Sequence, residues 1–493
     1  MGGLVRGGQL ARLLGEWHAL PARRRSPDYL ALAGAVRGLL TDGRLALGVR
    51  LPAERELAES LGISRTTVSA AYRELRDSGH LSSRRGSGSW TTLPEGLRVG
   101  ASGLWGPYDE PGVIDLSCAA PPAPPELVDA ARDAVEDLPA YLGKVGYWPC
   151  GLDVLREVVA ERYTRRGLPT RPEQILITNG TQHALDLVIR LTVHPGAPVL
   201  TESPTYPGAL AALSGARARI ATHGLGHHGW DGELLLDTLR QTRPRLAYLV
   251  PEFQNPTGHL MPLKLREQLP AVAHSAGVDL VVDESFVDMH LFGAEADAAG
   301  DAAMPPPVAA FDRHSRVLTI GGLSKPYWGG MRIGWIRAAA PIVQRLAAVR
   351  VGVDMASPVL DQLVAVRLLA YGPSVVDARR PGLISRRDTL VRALADRLPE
   401  WRVSVPQGGL TLWAELDAPV SSALARAAEA HGVRLAPGPR FGVDGTLERF
   451  LRLPFTLPEA DLVDAVERIA AARFDLDRAP DRSLYAGDQA LIA

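Results

Sequence analysis

The feature that most constrains the fold is an alternation of short apolar runs with segments of helical period, which begins near residue 113. Apolar runs followed by turn residues predict strands at 174–178, 198–201, 247–250, 278–282 and 317–320. Parallel strands need a long crossover connection, which is usually a helix. The alternation therefore predicts an α/β fold with a mostly parallel sheet, covered by helices on both faces.

Length and composition indicate the number of domains and the class of protein to expect. A chain of 493 residues, 46% hydrophobic and 22% charged, is typical of a globular protein with two or three domains. Its two cysteines, Cys118 and Cys150, form neither a disulfide framework nor a metal-ligand pattern. The first residues lack the apolar block of a signal peptide, and no apolar run has the length of a membrane span. We therefore expect a cytoplasmic protein.

The first hundred residues are basic, with 15 arginines against 9 acidic residues, and their patterns predict three helices. The first helix has Ser26 as a possible cap and Pro27 just inside it. Pro52 opens the second helix, which Gly62 ends, and Ser64 is placed to cap the third. The third helix has an apolar stripe made of Val68, Ala71, Tyr72 and Leu75. That stripe leaves polar residues on the free face, namely Arg65, Thr66, Ser69 and Arg73.

Residues 81–90 then predict a hairpin with arginines near its tip. Two short helices around a glycine turn, the second basic on its free face, suit the major groove of DNA, and arginines on a wing can reach phosphates. The alternative is an arginine-rich surface with no ligand. The candidate DNA contacts are Arg55, Ser64, Arg65, Thr66, Thr67, Ser69, Arg73, Arg84 and Arg85.

In the body of the chain, polar residues follow the predicted strands, and ligands gather at the carboxyl ends of such strands. Gly180 and Thr181 open a helix after the first strand, a weak phosphate signal by themselves. Asn255 follows the third strand. Asp283 follows the fourth strand. The alternative to a functional role for Asp283 is a helix cap or a solvated strand end. The segment Gly-Gly-Leu-Ser-Lys ends at Lys325.

Lys325 is one of only three lysines among the 54 lysines and arginines, with Lys144 and Lys264. Arginine stays protonated, whereas lysine can lose a proton and attack a carbonyl carbon. Pyridoxal phosphate needs such a lysine for an imine, a carboxylate at the ring nitrogen, a donor to the ring oxygen and a phosphate cradle. In order, these groups are Lys325, Asp283, Asn255, and the set Gly180, Thr181 and Arg332. The pattern predicts a pyridoxal phosphate site.

Two longer resemblances agree with these interpretations. Residues 26–92, notably RLPAERELAESLGISRTTVSAAYREL, resemble the winged helix-turn-helix of the GntR family. Residues 113–475 resemble class I aminotransferases of fold type I, in the stretches YWPCGLDVLREVVAERY, TNGTQHALDLV, ESPTYPG, PEFQNPTG, VVDESF, LSKPYWGGMRIGW and FLRLPF. Together the two halves resemble the MocR subfamily of GntR regulators.

The resemblance implies further roles and a smaller C-terminal α+β subdomain. Tyr206 becomes the aromatic that stacks on the cofactor ring, Ser324 a cofactor contact, Arg452 the clamp for a ligand carboxylate, and Tyr147 a phosphate contact in the neighbouring subunit. The family usually has a tyrosine where this chain has Phe286, and a serine or threonine where it has Gly322. Each change removes roughly one hydrogen bond to a charged group, about 1.5–3 kcal/mol.

The resemblance also implies the organisation of the whole chain. We expect an N-terminal extension (1–25), a DNA-binding domain (26–92), a linker (93–112), a pyridoxal phosphate domain (113–475) and a tail (476–493). A dimer is expected, with each DNA-binding domain packed on the partner's large domain. The predicted function is a transcriptional regulator that binds operator DNA and senses pyridoxal phosphate or an amino compound through Lys325. The alternative is a working aminotransferase with an accessory DNA-binding domain.

Overall fold

A computed structural model describes residues 3–15, 17, 27–84, 88–94, 111–292 and 304–478. Of the predicted features, Arg85, most of the linker and most of the C-terminal tail lie outside these residues. The backbone of Arg84 is described but its side chain is not.

The N-terminal domain is built from four helices and a hairpin. The helices are α1 (Gly7–Leu14), α2 (Asp28–Thr41), α3 (Glu54–Leu61) and α4 (Arg65–Asp77). The hairpin pairs β1 (Leu81–Arg84) with β2 (Gly88–Thr91). The four residues of the predicted stripe are buried on α4, and Ser64 caps that helix by accepting from the Thr67 amide. The predicted helix-turn-helix and wing are therefore present.

The N-terminal segment adds to this domain in a way that the sequence analysis did not anticipate. Val5, Leu10, Leu14 and Trp17 are buried in the same apolar core as helices α2 to α4. Because α1 directs its apolar side into that core, its polar side is free to contact the rest of the chain. Helix α1 therefore forms part of the DNA-binding domain.

A seven-stranded sheet forms the centre of the large domain, in the order β4-β10-β9-β8-β7-β5-β6. Its strands are β4 (Ile175–Thr178), β5 (Pro198–Ser203), β6 (Arg219–Gly224), β7 (Leu246–Leu249), β8 (Asp279–Asp283), β9 (Val317–Gly322) and β10 (Gly334–Arg337). All neighbours are parallel except β10, which is antiparallel to β9 and β4. The five predicted strands are present to within two residues at each end, whereas β6 and β10 were missed.

Helices cover both faces of this sheet, which confirms the predicted α/β fold. They are α5 (Glu126–Asp137), α6 (Pro139–Leu142), α7 (Asp153–Arg165), α8 (Thr181–Thr192), α9 (Pro207–Gly215), α10 (Gly232–Thr242), α11 (Leu263–Ala276), α12 (Ala340–Val351) and α13 (Val359–Ala370). Two separate apolar clusters, one on each face, hold them against the strands.

A smaller C-terminal α+β subdomain follows the long helix α14 (Ser374–Arg397). Its antiparallel sheet has the order β11-β12-β15-β14, formed by Arg402–Val403, Thr411–Glu415, Phe450–Pro454 and Ala436–Pro437. Helices α15 (Ser421–Ala430) and α16 (Glu459–Arg478) pack beside it, and β13 (Val433–Arg434) pairs with β3 (Ile114–Asp115). Strand β13 of this subdomain thus lies beside β3, at the start of the large domain.

No single helix of the described ranges is long and apolar enough to cross a membrane. Helices α13 and α14 meet that test only as a pair, by length and composition, and they are bent by 75° at the break between them.

The DNA-binding domain packs on the body of its own chain. Gln9 donates to Asp237 on α10 at 3.2 Å, Arg12 pairs with Glu233 at 2.9 Å, and the Leu447 amide donates to the Thr41 carbonyl at 2.7 Å. The polar side of α1 and the end of α2 supply these contacts within one chain. The packing on a partner subunit that the resemblance implies stays a prediction.

Candidate cofactor and ligand site

A cavity of about 450 Å³ lies at the carboxyl ends of the parallel strands, between the large domain and the C-terminal subdomain. Eight of the predicted site residues line it: Thr181, Tyr206, Asn255, Asp283, Ser324, Lys325, Arg332 and Arg452. The topology explains this convergence, because β4, β5, β7, β8 and β9 all end at the same edge of the sheet.

Lys325 lies just beyond β9, half-buried in the cavity wall. Its Nζ donates to the Ala119 carbonyl at 2.8 Å and lies 5.7 Å from the centre of the Phe286 ring. Burial, with the positive charge of Arg452 adding to it, lowers the pKa of Lys325. A lowered pKa increases the fraction of neutral amine, the form that attacks a carbonyl carbon.

Asp283 ends β8 and is buried at the floor of the cavity. Its Oδ2 accepts from the Tyr248 hydroxyl at 2.7 Å, and its Oδ1 accepts from the Ser285 amide at 2.9 Å. Burial raises the pKa of Asp283, and the hydrogen bonds from Ser285 and Tyr248 oppose that rise. The carboxylate is therefore fixed in orientation and stabilised as an anion by two donors.

Tyr248 is a site residue that the sequence analysis missed. It lies in β7 and is fully buried, so its hydroxyl needs a partner inside the protein. The available signal was a tyrosine inside an otherwise aliphatic buried strand, next to the strand that ends in Asp283. Its position one strand away could be recognised only once the strand order was known.

The turn between β4 and α8 forms an anion cradle. Gly180 has φ +85°, and a Cβ there would lie 2.7 Å from Nη2 of Arg332. A Cβ on Gly334 would lie 2.6 Å from the Gly180 carbonyl carbon, so both positions require glycine. The start of α8 offers unpaired amides, and Arg332 is held by donating to the Asn179 carbonyl at 2.9 Å.

Gly322 fits this cradle for a steric reason. A Cβ at Gly322 would lie 2.8 Å from Oγ1 of Thr181 and 3.0 Å from the Ile333 carbonyl oxygen. The Thr181 hydroxyl thus occupies the space in which a serine at 322 would stand, and Ser285 donates to it at 3.4 Å. We infer that Thr181 replaces the hydroxyl whose absence the sequence analysis noted.

Two further side chains border the space above Asp283. Asn255 is buried before a cis peptide bond to Pro256, and its Oδ1 has no hydrogen-bond partner among the described residues. The Tyr206 ring is fixed against Gly208, where a Cβ would lie 2.5 Å from two ring carbons. An amide without a partner and an aromatic ring suit a planar ligand with polar substituents.

Arg452 lies on β15, with 7% of its surface exposed. It donates to the Ser117 carbonyl, and its guanidinium carbon lies 4.9 Å from the centre of the Phe441 ring. Its Nε has no hydrogen-bond partner in the part of the chain that is described. Burial lowers the pKa of Arg452 to about 10, which leaves it charged at neutral pH. A buried cation with no carboxylate bonded to it is a site for an anionic ligand group.

The predicted DNA-binding residues lie on an exposed surface, in contrast to the buried residues of the cavity. Arg55, Arg65 and Arg73 are exposed, and Arg65 has only a loose ion pair with Glu54 at 3.7 Å. The Ser64 hydroxyl lies 2.7 Å from that of Thr66 and 2.8 Å from that of Thr67. These three hydroxyls form a capping network that fixes the start of α4, and Ser69 is half-buried beside them.

The sequence pattern described as aminotransferase class I and II matches residues 112–469, which is most of the chain. The chain belongs to this aminotransferase family. The pattern of bacterial regulatory proteins of the gntR family matches residues 28–90. A gntR-type domain followed by an aminotransferase domain is the predicted MocR-type arrangement, which is confirmed.

Two relatives and one solved structure match much of the chain. A 2-aminoadipate transaminase of Thermus thermophilus is 32% identical over 373 residues, covering 73% of this chain and 90% of the relative. The probable rhizopine catabolism regulatory protein MocR of Rhizobium meliloti is 29% identical over 446 residues, covering 83% and 86%. The crystal structure of LysN, an alpha-aminoadipate aminotransferase of Thermus thermophilus complexed with N-(5'-phosphopyridoxyl)-L-leucine, has a TM-score of 0.64 and 31% identity, covering 74% and 93%.

The aminotransferase cavity fits pyridoxal phosphate. It offers a lysine of lowered pKa, an oriented carboxylate, the side-chain amide of Asn255 in the cavity wall, and a cradle whose glycines leave no space for Cβ atoms. Tyr147 is the exception, since it is 61% exposed and does not line the cavity of its own chain.

Proposed function

We propose that this chain is a pyridoxal phosphate-dependent transcriptional regulator of MocR type. The observation that supports it best is the combination, in one chain, of the Lys325–Asp283 site with a domain that packs on the same body and exposes the basic helix α4. We propose the domain limits given by the sequence, 26–92 for the DNA-binding domain and 113–475 for the cofactor domain, with α1 added to the former. A protein that acts on operator DNA is proposed to work in the cytoplasm.

Different residues of the cavity are proposed to bind the cofactor and the ligand. Bound pyridoxal phosphate supplies a carbonyl carbon that reacts with amines and a ring that withdraws electrons. Lys325 would hold it covalently through Nζ, and the α8 amides with Arg332 would bind the phosphate. The Asp283 carboxylate would accept a hydrogen bond from the protonated ring nitrogen and so keep that nitrogen protonated. Arg452 binds a carboxylate of the entering amino compound through its planar fork.

The DNA-binding domain is proposed to read operator DNA in two ways. Arg65, at the start of α4, contacts base edges in the major groove, and Arg73 approaches the backbone. The wing that contains Arg84 contacts phosphate or the minor groove. The capping network at Ser64 positions the start of α4, so that substitution there reduces DNA affinity indirectly.

We propose that the protein is a homodimer. Large apolar side chains are exposed on neighbouring stretches of the large domain, with Leu142 70%, Val145 87% and Met355 43% exposed. Tyr147 lies in the first of these stretches. An isologous interface over this surface would bury it and bring Tyr147 toward the partner's cavity.

The second candidate function is that of an aminotransferase, and the complete Lys325, Asp283, Arg332 and Arg452 set favours it. Phe286 argues against efficient turnover, because a phenylalanine cannot donate to the ring oxygen. The deciding experiment is a turnover assay with pyridoxal phosphate, a panel of L-amino acids including 2-aminoadipate, and 2-oxoglutarate. Selection of operator DNA from a random duplex pool is carried out with the same protein. Fast transamination without any selected operator would contradict the regulator.

A further inference from the structure

A small apolar cluster separates Arg452 from the DNA-binding domain. Ala436, Phe441, Leu447 and Phe450 are buried together, with Trp413 packed against them. The cluster begins at the ligand site, where the Phe441 ring lies under the Arg452 guanidinium at 4.9 Å. We call these five residues the junction cluster.

The other end of the junction cluster touches the DNA-binding domain. The Leu447 amide donates to the Thr41 carbonyl at 2.7 Å, at the end of α2. A Cβ on Gly43 would lie 2.9 Å from Cδ2 of Leu447, so side chain and turn are already in close contact. Arg449 adds a charged contact, with Nε 3.7 Å from Oδ1 of Asp42.

The conformation of Leu447 makes this contact specific. Its φ is +74°, a left-handed value that a leucine adopts only when its surroundings hold it there, and it is fully buried. The Phe450 amide donates to its carbonyl at 2.9 Å. A residue held in this way has few alternative positions, so displacement of the strand that follows it must move the contact with Thr41.

The strand that follows is rigid. Arg452 lies only five residues after Leu447, on β15, which is hydrogen-bonded to β12 on one side and β14 on the other. The DNA-binding domain also rests on the large domain, where a Cβ on Gly224 would lie 2.4 Å from the Arg44 carbonyl oxygen. The turn 41–44 is thus in contact with both the C-terminal subdomain and the large domain.

We infer that the junction cluster transmits ligand binding at Arg452 directly to the DNA-binding domain, through Leu447 and the turn 41–44. This inference rests on the proposed function and adds the route of regulation. A carboxylate that takes the place of the Ser117 carbonyl on Arg452 would shift β15 and Phe441, and with them the support of α2. The linker 93–112 then only tethers the two domains.

Two matched glycines test the inference. Gly43 and Gly48 both have left-handed φ, +66° and +70°, in the DNA-binding domain. A Cβ on Gly43 meets Oγ of Ser203 at 2.8 Å and the Leu447 side chain, whereas a Cβ on Gly48 meets nothing within 4 Å. Gly43→Ala and Gly48→Ala therefore introduce similar backbone strain, and only the first disturbs the junction.

The measurement is the ratio of operator affinities of the full-length protein loaded with pyridoxal phosphate, with and without each amino acid of the panel. We expect Gly43→Ala to reduce the wild-type ratio to about one while the amino acid still changes the visible spectrum, and Gly48→Ala to keep the ratio. Gly224→Ala, with Gly215→Ala as its open-space control, repeats the test from the large-domain side.

Each outcome has a definite meaning. Wild-type ratios in both Gly43→Ala and Gly224→Ala would overturn the junction route and leave the proposed regulator standing. A wild-type protein whose DNA affinity responds to neither pyridoxal phosphate nor any amino acid would overturn the proposed function and this inference with it. Hydrogen exchange gives a separate readout, since the Leu447 amide should change its protection when the amino acid binds to the wild type and stay unchanged in Gly43→Ala.

Discussion

The cofactor cavity and the DNA face differ in how firmly neighbouring groups hold their charged side chains. In the cavity, charged groups are held by named partners, as Asp283 is by Tyr248 and Ser285. On the DNA face, Arg65 is 72% exposed and has one weak ion pair, which contributes little in water. The fold therefore fixes the geometry of the cavity before any ligand arrives, whereas the arginines of the DNA face adopt their final positions on DNA.

The largest expected effect is on the cavity side. Lys325→Ala should abolish the covalent adduct that borohydride traps on the protein with pyridoxal phosphate, because no other lysine among the described residues lines the cavity. Lys325→Arg should lose it equally, since arginine keeps the charge and cannot attack the carbonyl carbon. Peptide mass spectrometry after trapping is the measurement. Lys264→Ala is the control, and an adduct on Lys144 or Lys264 would show that the site assignment is wrong.

Arg452→Ala separates ligand from cofactor within the same cavity. The variant should keep the visible absorbance of bound pyridoxal phosphate, because its phosphate and ring contacts are made by other residues. It should lose the spectral response to carboxylate-bearing amines and any amino-acid-dependent change in DNA affinity. Arg452→Lys, which keeps the charge but not the fork, should give an intermediate response. An unchanged amino acid titration in Arg452→Ala would remove this residue from the ligand site.

On the DNA face the expected effects are smaller and graded. Arg65→Ala should weaken selected operator DNA by about 1–3 kcal/mol if Arg65 contacts a guanine, with little change for random DNA. Fluorescence anisotropy titrations measure both affinities. Arg165 is a matched control, since it is 62% exposed on α7 and has a similar ion pair at 3.7 Å. Equal losses for operator and random DNA would make Arg65 a phosphate contact.

Arg84→Ala should behave differently from Arg65→Ala. A wing arginine that contacts phosphate weakens all sequences alike and lowers the slope of log affinity against log salt by roughly one. Titrations at several salt concentrations give that slope. A loss confined to the operator would instead assign base recognition to the wing.

The two regions also differ in how far the sequence predicted them. The helix-turn-helix followed from local signals, namely Gly62, the Ser64 cap and the spacing of Val68, Ala71, Tyr72 and Leu75. Asn255, Asp283 and Lys325 followed from strand ends, whereas Tyr206 and Arg452 were implied only by the family resemblance. Contacts between distant segments could not be predicted in this way, because Tyr248 contacts Asp283 on the neighbouring strand and Leu447 contacts Thr41 in the N-terminal domain. The strand β10 was missed because an antiparallel strand interrupts the expected parallel pattern.

The smallest expected effect is a change in the pH dependence of cofactor affinity in Tyr248→Phe. Its hydroxyl donates to Asp283 and so favours the charged carboxylate, while burial raises the pKa of Asp283. Tyr248→Phe removes the donor, so the pKa of Asp283 should rise further, because a hydrogen bond that favours the charged form is lost. As pH falls through that pKa, Asp283 becomes protonated and can no longer stabilise the protonated ring nitrogen by accepting its hydrogen bond. The acidic limit of pyridoxal phosphate affinity should therefore move to higher pH.

The sign for the protein without cofactor is the reverse. A carboxyl whose folded pKa is raised destabilises the fold when it ionises, so stability is lost as pH rises through that pKa, and Tyr248→Phe should increase the loss. Absorbance titrations of the loaded protein and thermal unfolding of the unloaded protein between pH 5 and 8 measure the two signs. Tyr163→Phe is the control, because Tyr163 is equally buried but its hydroxyl accepts from Trp335 at 3.1 Å and does not contact Asp283. If both variants shift alike, the effect is one of packing, and the orientation of Asp283 does not depend on Tyr248.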